Sequence, residues 1–151
     1  MKAKIFLSLL IVILTISLNA AATTPASLAQ LFDGTYQKSN HATETIITGA
    51  PLKPYLLSTF HSLAVTDDPL LALPLEKAAV ADGAHALWKE TVNKGGRMES
   101  GVYELKPQGK NRRYILYLNS FLSGGNEAII IYLEGKATPQ QIKKLIKTIS
   151  E

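Results

Sequence analysis

Two short segments in the second half of the chain constrain its fold most. Residues 114–118 read Tyr-Ile-Leu-Tyr-Leu and residues 129–133 read Ile-Ile-Ile-Tyr-Leu. Both are rich in β-branched and aromatic residues and are bounded by turn residues, so both read as strands. Successive side chains on a strand point to opposite faces. Tyr114, Leu116 and Leu118 therefore lie on one face, with Ile115 and Tyr117 on the other. A strand that is apolar on both faces must be covered on both. Either helices flank the sheet on each side, or one face is buried against another molecule.

Glycine-bearing turns separate these strands from their neighbours. Lys94-Gly95-Gly96 predicts a hairpin between strands at Leu87–Asn93 and Arg97–Leu105. A second turn at Pro107–Asn111, around Gly109, leads into a strand at Arg113–Asn119. Ser123-Gly124-Gly125-Asn126 leads into another at Glu127–Leu133. Short turns between successive strands imply an antiparallel β-meander. The expected class is thus α+β, a mainly antiparallel sheet with helices packed on it.

One of those helices is clear at the C-terminal end. Thr138 caps it, Pro139 takes its first position, and Gln141 completes a capping box. Ile142, Leu145, Ile146 and Ile149 then form one apolar stripe. Lys143, Lys144 and Lys147 read as the opposite, solvated side, and lysines there also complement the helix dipole.

The first half is less regular. Ser27 reads as the N-cap of a brief helix with Leu28, Leu31 and Phe32, closed by Asp33-Gly34. Thr43–Thr48 reads as a strand, followed by a turn region with Pro51 and Pro54. In Tyr55–Val65 the spacing of Leu56, Phe60 and Leu63 predicts a helical turn, followed by a short strand. Asp67-Asp68-Pro69 opens another helical stretch. Pro74 interrupts it, leaving the regular helix at Leu75–Ala81 and its end near Asp82-Gly83.

The N-terminal segment has the three parts of a secretory signal peptide. Lys2 and Lys4 supply positive charge. Ile5–Leu18 is apolar apart from Ser8, Thr15 and Ser17, and its 14 residues are short of the roughly 20 a membrane span needs. Ala20, Ala21 and Ala22 then offer small residues, with cleavage expected after Ala22 or Ala21. The expected organisation is a signal peptide at 1–22 and one domain at 23–151, exported to the periplasm or beyond, with no transmembrane segment in the mature chain.

Removing the leader removes Lys2 and Lys4, which leaves 14 basic and 12 acidic residues. Their distribution is uneven. Residues 23–104 carry 6 basic and 9 acidic groups, and residues 105–151 carry 8 and 3. For an exported protein a basic segment points to a protein patch, a glycan or an anionic envelope surface, not to nucleic acid. A solvated surface without a partner accounts for the same charges. There is no cysteine, which excludes disulfides, thiol catalysis and thiolate metal sites.

Motifs for common chemistry are missing. Gly135-Lys136-Ala137 resembles the end of a P-loop, but it lacks the upstream glycine and the hydroxyl residue. His41, His61 and His85 lie in different segments. A hydrolase or metal site would have to gather them in space with Glu44 or Asp82, and Asp82 and His85 have the spacing of a dyad. Asp67-Asp68 suits capping better than acid–base work. Trp88, Tyr103, Tyr114, Tyr117 and Tyr132 would make an aromatic surface for sugars if exposed, and packing partners if not. No residue is assigned as catalytic, cofactor-binding or metal-binding, and no cofactor is expected.

Several stretches together resemble small secreted proteins of unknown function from Bacteroidetes. They are Leu31-Phe32-Asp33-Gly34, Ala42-Thr43-Glu44-Thr45-Ile46-Ile47, Leu52-Lys53-Pro54-Tyr55 and Tyr132-Leu133-Glu134-Gly135-Lys136-Ala137-Thr138, running into Gln141-Ile142-Lys143-Lys144. The resemblance implies compartment and domain size, and no site residue. The expected function is that of a non-enzymatic exported binding module. The alternatives are a small hydrolase or metal-dependent enzyme and a structural or assembly subunit.

Overall fold

The computed structural model describes residues 24–150. The signal peptide expected at 1–22 lies outside the described residues. Six strands form one antiparallel sheet in the order β1-β2-β6-β5-β4-β3. They are β1 (Ala42–Thr48), β2 (Leu57–Thr66), β3 (Trp88–Lys94), β4 (Arg97–Gln108), β5 (Asn111–Asn119) and β6 (Glu127–Gly135). Among the described residues three α-helices accompany them: α1 (Ala26–Leu31), α2 (Ala72–Asp82) and α3 (Pro139–Ser150). The class is α+β, as the sequence predicts.

The meander β3-β4-β5-β6 follows from its turns. Gly95 and Gly96 have φ of 58° and 76°, which two-residue hairpin turns require and glycine provides without strain. Helix α2 carries the chain from β2 to the far edge of the sheet, and β6 returns to pair with β2.

Both faces of the sheet are covered from within the chain. On the first, Leu28 and Leu31 of α1 and Leu75, Ala78 and Ala79 of α2 pack on Leu63, Val65, Ile115, Tyr117, Ile130 and Tyr132. On the second, Ile142 of α3 and Leu52 join Tyr114, Leu116, Ile131 and Leu133. The two-sided apolar character of β5 and β6 is therefore met by helices.

The segment Tyr55–Val65 differs from expectation. It holds no helical turn beyond Tyr55, where a 3₁₀ turn over Ala50–Tyr55 ends, and β2 runs unbroken for 10 residues. Phe60 and Leu63 do not share a face: Phe60 packs in the second core and Leu63 in the first. β2 lies between β1 and β6, so apolar residues on both sides mimic a helical spacing. Leu56 is left-handed, with φ 57°, and its carbonyl accepts from Lys136 N at 2.8 Å and Ala137 N at 3.1 Å. Gly135 passes so close to this point that a Cβ there would sit 2.5 Å from the Leu56 carbonyl oxygen. The P-loop-like Gly135-Lys136 is thus the exit of β6.

Two helix starts also need correction. Pro74 does not interrupt α2, because it is the third residue of the helix, where the backbone N–H has no intrahelical partner to lose. Ser27 does not cap α1, which begins at Ala26 and has no side-chain cap at the preceding residue. The Asp82 carboxylate caps it from across the fold, accepting from Ser27 N at 3.0 Å and Leu28 N at 2.8 Å. Asp68 does cap its 3₁₀ turn, accepting from Leu70 N at 3.1 Å. Asp67 accepts from the Asn126 side chain.

Candidate functional site

Antiparallel pairing places the histidines apart. His41 precedes β1, and its Nδ1 lies 3.1 Å from the Thr66 carbonyl. His61 is in the middle of β2, opposite Ile46 and Tyr132. His85 is exposed beyond α2. Asp82 is committed to the N-terminus of α1, which removes it from a dyad with His85.

One histidine does meet a carboxylate. β1 residues 44 and 46 share a face, so Glu44 lies diagonally across from His61, and Oε1 is 2.6 Å from Nε2. Phe32 stacks on the imidazole with ring centroids 3.6 Å apart. His61 is only 8% exposed. Burial of the ring outweighs the nearby carboxylate and holds its pKa below the usual 6.5. With one ring face covered and Nε2 occupied, the pair reads as a buried structural contact. Among the described residues no cluster of three histidine or acidic side chains is arranged to hold a metal ion.

The strand tyrosines are also internal. Tyr103, Tyr114, Tyr117 and Tyr132 are all buried. Tyr114 Oη donates to the Ala137 carbonyl at 2.7 Å, and Tyr132 Oη donates to Glu134 at 2.9 Å. Tyr117 is fully buried, and desolvation pushes its pKa up to about 12. They form no platform for sugars.

A concave site lies elsewhere, on the second face, between α3 and the outer strands. Strand register builds its floor from two rows, Glu90–Val102–Leu116 and Val92–Ser100–Leu118, each crossing β3, β4 and β5. Ile146, Lys143 and Lys147 of α3 form the opposing wall. Spacings of three and four residues put these three on one helix face. The groove is open to solvent along one side and has a volume of about 300 Å³, at the lower end of the range for small-molecule sites.

Lysine placement here departs from the sequence reading. Lys143 does not simply face solvent opposite the apolar stripe. Its Nζ is 2.8 Å from Glu90 Oε2 and 4.4 Å from the centre of the Trp88 ring, a cation–π arrangement. Lys147 has no acidic partner among the described residues. The groove has no sequence motif, because its residues come from four elements. The nearest signal was Lys143 and Lys147 flanking Ile146, which a helix drawn in isolation assigns to solvent.

Among the described residues no helix is long and apolar enough to cross a membrane. One family model, described as a family of unknown function (DUF6108), matches residues 15–146. No curated protein and no solved structure matches the chain. The chain belongs to the DUF6108 family.

Proposed function

We propose that this DUF6108 member is a non-enzymatic binding module that works outside the cytoplasm and takes an aliphatic chain into the groove under α3. The observation that carries this reading is the groove itself: about 300 Å³, floored by Val92, Val102, Leu116 and Leu118 and walled by Ile146. Aliphatic side chains lining a concavity gain from excluding water when an apolar ligand enters. The basic start, apolar run and small residues expected to form a leader at 1–22 support the exported part of this reading. A hydrolase would rest on His61 and Glu44, but that pair is spent on packing.

The test uses a neutral apolar dye, 1-N-phenylnaphthylamine. Its fluorescence should rise on binding, and Ser100→Trp, which fills the floor, should abolish the rise while leaving the circular dichroism spectrum unchanged. A dye that binds this folded variant as well as wild type sinks the groove reading. Export is tested separately by N-terminal sequencing, where the expected first residue is Thr23 or Ala22. Protein retained in the cytoplasm with its leader intact overturns that part.

A further inference from the structure

The polar groups at the groove are few and asymmetric. Two lysines, Lys143 and Lys147, stand against one acid, Glu90. Lys143 is already engaged by a carboxylate at 2.8 Å, and the two side chains are 49% and 62% exposed. Lys147, one turn further along α3, has no acidic partner among the described residues. An aliphatic trough lined by two cations and one acid is complementary to a molecule that is apolar along its length and anionic at one end. The groove's volume suits one medium-length chain better than the paired chains of a membrane lipid.

Resting on the groove reading above, we propose that the ligand is the anion of a single-chain fatty acid. Its chain lies along Val102, Leu116 and Ile146, and its carboxylate is held by Lys147 and Lys143. Glu90 then acts as a competitor inside the site. It occupies Lys143 in the free protein as a carboxylate, the group the ligand would present there. Lys143 also sits on Trp88, the only tryptophan in the sequence, so a ligand that draws Lys143 away from the ring changes the emission of that residue.

The experiment titrates the protein with dodecanoate, dodecanol and dodecyltrimethylammonium below their micelle-forming concentrations, following Trp88 emission and displacement of the neutral dye. Dodecanoate should bind tightest, and added salt should weaken it alone, because screening acts on the charged head. Exposed charge pairs are weak, so Lys147→Met should weaken dodecanoate by about threefold to fivefold and leave dodecanol unchanged. Glu90→Gln should tighten dodecanoate by a similar factor, through loss of the competitor. Equal binding of all three amphiphiles overturns the fatty-acid assignment and leaves the groove reading standing. Preference for the ammonium overturns it too, and makes Glu90 the head-group partner. Failure of all three to bind, with no response to the neutral dye, removes both readings together.

Discussion

At the scale of single residues, two acidic side chains act far from where sequence would place them. Glu44 meets His61 because β1 and β2 pair in register without interruption. Burial lowers the His61 pKa below 6.5 despite that carboxylate, so the folded protein takes up this proton less readily than the unfolded chain. By linkage, the stability tied to this group is complete above about pH 6.5 and is lost as pH falls toward the lowered value. Thermal melts between pH 7.5 and 5 should show His61→Gln losing less stability than wild type over that interval. A steeper loss in the variant would mean that the proton stabilises the fold. Asp82 satisfies two backbone N–H groups of α1 across 54 and 55 residues of sequence. A lost cap costs about 0.5–2 kcal/mol, and urea unfolding of Asp82→Ala should show a loss in that range.

At the scale of elements, α3 closes the second core and forms one wall of the groove. Its capping box is made as the sequence predicts. Gln141 Oε1 accepts from Thr138 N at 2.8 Å, and Thr138 Oγ1 accepts from Gln141 N at 3.4 Å. The first bond is the shorter, so Gln141 carries more of the box than the serine-or-threonine rule suggests. Thr138→Ala should cost about 1 kcal/mol, and Gln141→Ala should cost at least as much in the same denaturant titration. A smaller loss for Gln141→Ala would return the main role to Thr138. Because the box orients the first turn of α3, both variants should also weaken binding of the neutral dye in the groove.

At the scale of the whole molecule, β5 and β6 are shared by two cores. Tyr114 and Leu116 point into one, Ile115 and Tyr117 into the other. Damage to either face should therefore be felt by both. Leu75 under α2 is 0% exposed and Ile142 under α3 is 1% exposed. Truncating a buried aliphatic side chain to alanine costs about 2–5 kcal/mol. Leu75→Ala and Ile142→Ala should each shift a single unfolding transition, with far-UV circular dichroism and Trp88 fluorescence superimposable. Separate transitions by the two probes would show that the faces unfold independently.

The sequence by itself determined the features that depend on neighbours along the chain. The glycine turns set the meander, the capping box starts α3, and apolar runs at 114–118 and 129–133 require cover on both faces. It misled where a pattern admits two periods: Leu56, Phe60 and Leu63 fit a helix by spacing, yet Phe60 and Leu63 serve opposite faces of a central strand. Tertiary structure alone decided that β6 pairs with β2, that Asp82 caps a distant helix and that Glu44 meets His61. It alone also assembled a groove from Glu90, Val92, Ser100, Leu118 and the lysines of α3. Turns and caps are local free-energy minima written into a few adjacent residues. Strand order and the groove depend on which distant surfaces bury each other, and one sequence read alone does not contain that choice in any local segment.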